Sequence, residues 1–260
     1  MFTHDDWDAV LSAFVDDRGL VDYAALARDR TALDRYLVAI AGSGPESTPE
    51  RFPTRDHELT YYINAYNALV FAGVLDLGDD ADTVWGGLID GYPFFVAAKY
   101  RIDGRKINLR NLENKIVRAR YGDARIHAAL NCASLGCPRL PDSAFRPGSL
   151  DDTLDAAMTE FVSDPRHVRV DTDAKVVHLS KIFDWFKDDF LDDEREAGVD
   201  DPNVIDYVNR FRGDAPAIPR DDTVKILKYD EGLNRVPSEG GCSRVVGDRR
   251  PRSASTTGTS

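Results

Sequence analysis

The chain has 260 residues, 42% of them hydrophobic and 10% aromatic, which is enough apolar material for a sizeable core and excludes wholesale disorder. Thirty-three basic residues against 45 acidic ones leave a net charge of −12, which repels phosphate backbones and anionic lipid leaflets. The expected partner is therefore a small molecule or peptide, with no nucleic acid and no membrane. No apolar run approaches the ~20 residues a spanning helix needs. The start, Met1-Phe2-Thr3-His4-Asp5-Asp6-Trp7-Asp8, lacks the basic and apolar regions of an export signal, so the expected compartment is the cytoplasm. Three cysteines are too few, and odd in number, for a disulfide scaffold, and the thiols are expected to be reduced.

Residues 7 to 41 read as helix with one break at Asp16-Asp17-Arg18-Gly19: Val10, Leu11, Phe14 and Val15 precede it at helical spacing, and Tyr23, Leu26, Leu33, Leu37 and Ile40 resume the pattern. Gly42-Ser43-Gly44-Pro45 ends that run. It lacks the strand–turn–helix context and third glycine of a dinucleotide loop, and no cofactor is expected. His57 to Leu77 is the most apolar predicted helix, with Gly73 inside it marking close packing. Two β-prone runs, Ala97 to Ile102 and Lys106 to Leu109, flank Asp103-Gly104 and predict a hairpin. Asn111 to Arg120 returns to helical spacing. A second hairpin is expected from Val168 to Val170 and Val176 to Leu179, followed by helices over Lys181 to Leu191 and Val204 to Arg212. After Asn234 the chain has little to bury. The expected fold class is α+β: a predominantly helical single domain over 1–234 with small antiparallel hairpins, followed by a disordered tail over 235–260.

The densest chemistry lies between Arg125 and Pro138, which holds His127, Asn131, Cys132, Ser134 and Cys137. Gly136, Pro138 and Pro141 forbid a helix through its second half, leaving a loop of the kind that carries reactive groups. A thiol becomes a nucleophile when a neighbouring imidazole or helix terminus favours its anion. The leading reading is a cysteine-dependent hydrolase or acyl transferase: Cys132 attacks an acyl carbon, His127 serves as base and then acid, and Glu113 orients the imidazole. Backbone N–H groups of Ala133 to Gly136 would hold the oxyanion. Asn64, Asn67 and Arg125 would position substrate, with Asn131, Ser134 and Lys181 as further binding residues. Five residues of regular helix or strand do not put His127 and Cys132 on one face, so their pairing needs a bend. His178 is the alternative imidazole.

Rival readings use the same atoms. A non-enzymatic ligand- or protein-binding domain would use the amides and thiols only to brace a groove, since cysteine and apolar-flanked histidine are commonly core residues. His127, Cys132 and Cys137 could instead hold zinc, completed by Glu113, His178 or water. Cys132-Ala133-Ser134-Leu135-Gly136 approaches a nucleophile elbow, but the first glycine is missing and Pro138 stands where the helix should run. A Cys132–Cys137 disulfide is a further geometric option. On the helix 57–77, Asn64 and Asn67 share a face and must find partners. Ser180 is placed as a helix N-cap, and Lys181 opposes the dipole behind it.

Several of these segments together resemble the domain of unknown function 547 family. The resemblance rests on Tyr62-Ile63-Asn64-Ala65-Tyr66-Asn67-Ala68, on Arg125-Ile126-His127 running into Ala129-Leu130-Asn131-Cys132-Ala133-Ser134 with Cys137-Pro138, and on Leu179-Ser180-Lys181-Ile182-Phe183 with Trp185 and Asp189-Phe190. Tyr229-Asp230 with Leu233-Asn234 resembles the family's closing motif, although Glu231 and Gly232 depart from it. The likeness runs from about Val21 to Asn234. It implies one domain over residues 1–234 and no assigned activity.

Overall fold

The structure, a computed structural model, describes residues 1–87 and 91–237. Three N-terminal helices, α1 (Asp5–Phe14), α2 (Tyr23–Arg28) and α3 (Thr31–Gly42), surround the long α4 (Arg55–Leu77). The helical run read over 7–41 is thus broken twice; the second break falls at Asp29-Arg30, where Asp29 turns out of helical geometry and its carboxylate accepts from Thr31 N–H. Thr54 caps α4 by accepting from His57 N–H. From Leu59 to Val74 every residue of α4 is buried. A helix apolar on all sides has to be wrapped rather than docked on one face. Gly73 is where the wrapping is tightest: a Cβ there would lie 2.5 Å from Tyr100 Oη and 2.9 Å from the Phe94 ring.

A π-helical turn (Tyr92–Ala97) leads into the hairpin of β1 (Tyr100–Ile102) and β2 (Arg105–Ile107), so the start of the expected strand is helical. The helix expected over 111–120 is present as α5 (Leu109–Asn111), a π-helical stretch (Leu112–Arg118) and α6 (Ala119–Tyr121) in succession. Then comes a 3-10 turn (Ala124–Ala128) carrying His127.

The second half of the chain builds a separate cluster from α7 (Leu150–Ser163), α8 (Lys181–Trp185), α9 (Lys187–Glu196) and α10 (Val204–Arg210) around β3 (Val168–Asp171) and β4 (Val176–Leu179). Helix α7 was not expected, although Leu150, Leu154, Met158 and Phe161, all buried, recur at helical spacing. The single helix read over 181–191 breaks at Phe186, which caps α8 and starts α9. Antiparallel pairing of β3 and β4 follows the expected register region, but β5 (Thr223–Ile226) adds to β4 in parallel, so the second sheet is mixed rather than a bare hairpin. The class is α+β and helix-dominated.

Buried side chains fall into two hydrophobic clusters, and the 124–133 segment feeds both. Ala124 and Ala128 pack into the second, while Ile126, Ala129, Leu130 and Ala133 pack into the first. Residues 235–237, expected to belong to the tail, are held against the fold. Val21 and Val236 are joined by a backbone hydrogen bond of 2.9 Å, and Arg235 pairs with Asp82. The rest of that expectation lies outside the described residues.

Asn67 ties α4 to the reactive loop: its Nδ2 donates to Ala129 O at 2.9 Å, and its Oδ1 accepts from Asn131 N–H at 2.9 Å. Asn67→Ala strips both buried backbone groups of a partner, at roughly 1–3 kcal/mol for each. We expect a lower urea midpoint at unchanged slope, measured by equilibrium unfolding.

Candidate functional site

The loop after Ala128 is folded by side-chain amides before any chemistry enters. Asn131 donates from Nδ2 to Pro138 O at 3.0 Å and accepts at Oδ1 from Ala133 N–H at 2.9 Å, clamping both ends of the turn. Ala133 sits in the left-handed region at φ 63°. Cys137 N–H then donates to Ser134 O at 3.0 Å. This tight reversal brings Cys132 and Cys137 together.

Their sulfurs are 2.7 Å apart, both free, and the Tyr229 hydroxyl lies 3.1 Å from Cys132 Sγ and 3.2 Å from Cys137 Sγ. Cys132 N–H also points at Cys137 Sγ, at 3.1 Å. Two thiols so close cannot both ionise. The hydrogen bond Cys132 gives to Cys137, together with burial, pushes the Cys132 thiol far up. Burial opposes ionisation of Cys137 as well, but the bonds it accepts from Cys132 and Tyr229 outweigh that and lower it. Of the two, Cys137 is therefore the thiol whose anion the surroundings favour, although Cys132 is the more exposed residue.

His127 does not pair with either cysteine among the described residues. Its Nε2 is 2.8 Å from Asp189 Oδ2, and its ring stacks on Phe186 at 4.0 Å between centroids. Arg118 grips the same carboxylate in a bidentate pair, at 2.6 and 2.8 Å. Burial works against ionising Asp189, yet the hydrogen bonds from His127 and Arg118 hold its carboxyl well below the usual range. Burial also lowers His127 against the pull of Asp189. A neutral imidazole facing a carboxylate must carry its proton on Nε2, which leaves Nδ1 as the basic nitrogen. The orienting carboxylate is thus Asp189 rather than Glu113. Glu113 is buried against Tyr66, whose hydroxyl donates to it at 3.2 Å.

One cavity of about 440 Å³ is lined by Cys132, Cys137, His127, Glu113, Tyr66 and Tyr229, with Trp85, Trp185 and Phe186 among its aromatic walls. The three residues proposed for chemistry, Cys132, His127 and Glu113, therefore do meet in one space. The proposed binding residues do not. Asn64 is sealed, donating to Phe145 O and accepting from Phe145 N–H; Asn67 and Asn131 are spent on the loop. Arg125 faces a different cleft, paired with Asp123, Asp151 and Asp155. Ser134 is buried and accepts from Trp85 Nε1 at 2.8 Å. Lys181 is answered by Asp184 on its own helix, and His178 lies on β4 opposite Arg169. The oxyanion donors expected from Ala133 to Gly136 are mostly committed: Ala133 N–H to Asn131, Leu135 N–H to Gly232 O and Gly136 N–H to Asp230 O. Among the described residues, no group of three or more His, Cys, Asp or Glu side chains comes together to hold a metal, because His127 is turned to Asp189. The sequence reading overlooked Asp189, Arg118, Tyr66 and Tyr229 as site residues. Three of them stand inside the quoted motifs, but nothing in their spacing says they converge.

Residues 50–162 match the family model described as "Protein of unknown function, DUF547". Over that stretch the chain is similar to the DUF547 family. No curated protein and no solved structure matches it. The DUF547 stretch contributes both thiols, His127, Glu113 and Tyr66, while Asp189, Trp185, Phe186 and Tyr229 come from the chain beyond it. No described helix is long and apolar enough to cross a membrane.

Burial lifts the Glu113 carboxyl to about 7, against the opposing pull of the Tyr66 hydroxyl and Arg118. Between its ordinary 4.5 and about 7 the folded chain keeps a proton that the unfolded chain has released. Its contribution to stability accordingly falls as pH rises through that window and is level above it. Glu113→Gln is expected to be roughly 3 kcal/mol more stable than the parent at pH 8 and equal to it at pH 4, read by urea unfolding at both pH values.

Proposed function

We propose that this chain is a cysteine-dependent hydrolase or acyl transferase whose nucleophile is the thiolate of Cys137, with Cys132 as its hydrogen-bonding partner. The single supporting observation is the thiol pair facing the same cavity as an imidazole whose tautomer Asp189 holds. The Cys137 thiolate attacks an acyl carbon, and Tyr229, the hydroxyl nearest both sulfurs, is the donor placed for the developing oxyanion. Protonated Glu113 gives its proton to the departing group. The resulting thioester then reacts with water or an acceptor, whose proton passes to His127 Nδ1 as the acyl group leaves and the thiolate returns; that proton goes back to Glu113 to close the cycle. A carboxyl near neutrality and a neutral imidazole suit these two roles at neutral pH. This proposal departs from the sequence reading in two places: it takes Cys137 rather than Cys132 as nucleophile, and Glu113 as acid rather than as orienter.

The test is acylation by p-nitrophenyl acetate and by an aryl thioester at pH 6.5, followed by intact mass and peptide mapping. Acetylation at Cys137 is expected, lost by on the order of 10³-fold or more in Cys137→Ser and retained in Cys132→Ser. Asp189→Asn should slow release of the acetyl group more than its formation, because it frees the wrong imidazole tautomer. Full turnover by Cys137→Ser would refute the assignment. Thiols that alkylate only in denaturant would favour the non-enzymatic binding domain instead.

A further inference from the structure

Acyl transfer needs one thiolate, and the pocket holds two sulfurs. Cys132 and Cys137 are separated by 2.7 Å, inside non-bonded contact and beyond the ~2.05 Å of a covalent bond. Nothing lies between them, and Tyr229 sits across both rather than separating them. The turn is already drawn in by Cys137 N–H to Ser134 O and by Asn131 bonding Pro138 O and Ala133 N–H. A second thiol at this distance contributes nothing that a hydroxyl could not contribute to anion stabilisation alone. It does place a resolving group where an oxidised Cys137 would meet it before further oxygen could add.

We propose that Cys132 and Cys137 form a reversible oxidation site in which a hydroperoxide converts the pair to a disulfide and so removes the nucleophile from the pocket. The Cys137 thiolate attacks the distal oxygen of the hydroperoxide. The O–O bond breaks, Cys137 becomes a sulfenic acid, and the departing alkoxide takes a proton from solvent to leave as an alcohol, or as water when the oxidant is hydrogen peroxide. Cys132, giving up its proton, then attacks the Cys137 sulfur; the S–S bond forms as the S–O bond breaks and water leaves. Both sulfurs have lost one electron each to the peroxide. A small dithiol reverses the change by exchange. The cavity of about 440 Å³ that both sulfurs line, walled by Trp85, Trp185 and Tyr229, is large enough for a small peroxide to reach them.

The proposal takes from the preceding one only that Cys137 is the resting thiolate, and its readout involves no acyl transfer, so either can fail alone. The full chain carrying Cys242→Ser, which removes the remaining cysteine, is reduced, freed of reductant and titrated with hydrogen peroxide. The expected product is two hydrogens lighter, has no alkylatable thiol, maps as a peptide linked between Cys132 and Cys137, and returns to the starting mass with dithiothreitol. In the added Cys132→Ser variant the sulfenic acid has no resolving thiol, and dimedone should trap it on Cys137. Sulfinic acid accumulating on Cys137 of the two-cysteine chain, or two thiols still alkylatable at peroxide levels that oxidise Cys132→Ser, would overturn the proposal. Absence of acylation in the fully reduced chain, with the disulfide still forming on oxidation, would sink the acyl-transfer reading alone.

Discussion

Asn67 lies sealed in the middle of α4, and an amide there has to find partners or cost the fold about as much as several good contacts contribute. It finds them in the backbone on either side of Leu130, at Ala129 O and Asn131 N–H. That anchors the start of the reactive loop to the most buried helix of the molecule. Asn131 repeats the move one step on, bonding Ala133 and Pro138. Asn64 does the same for the Phe145 backbone at the far end of the connection. Three amides thus give an irregular segment, one that could not otherwise satisfy its polar groups in apolar surroundings, a fixed path between the two hydrophobic clusters. Everything reactive hangs from that path.

The charge arrangement of the cavity follows from how little water reaches it. One full negative charge, that of Asp189, is matched by Arg118 in bidentate geometry, the form of ion pair that survives partial burial best. With that carboxylate satisfied, burial holds His127 toward its neutral form, Glu113 keeps its proton up to about 7, and the two thiols, in contact with each other, cannot both ionise. The molecule's net charge of −12 therefore says nothing about the pocket. Local pairing and desolvation set the protonation state of each group there, and the surface charge governs only how ligands approach.

The site also depends on both halves of the chain. Both thiols and Glu113 sit in the stretch that matches the DUF547 family, but the carboxylate that orients His127 and the hydroxyl that bridges the sulfurs come from residues after it. Gly136 shows how closely the two parts meet: a Cβ on it would lie 2.7 Å from the Tyr229 ring. The glycine is required there by the approach of an aromatic side chain, not by backbone angle. A fragment ending with the matched stretch would keep the thiols and lose the groups that give them their chemistry.

Local pattern was enough to mark the helices around Leu59 to Val74, the β1–β2 hairpin at Asp103-Gly104 and the β3–β4 hairpin, because apolar periodicity and turn residues act over a few neighbours. It was also enough to single out the segment from His127 to Cys137, where reactive side chains crowd a stretch that glycine and proline keep out of helix. Spacing could not say that His127 would turn to Asp189, that Glu113 would be claimed by Tyr66, that Arg125 would face another cleft, or that β5 would run parallel to β4. Each of those is a pairing across tens of residues, decided by which buried polar group had to be satisfied and by what the packed clusters left within reach. The meeting of the two sulfurs was likewise set only in the folded chain, by a left-handed turn at Ala133 and a tyrosine hydroxyl arriving from far along the chain.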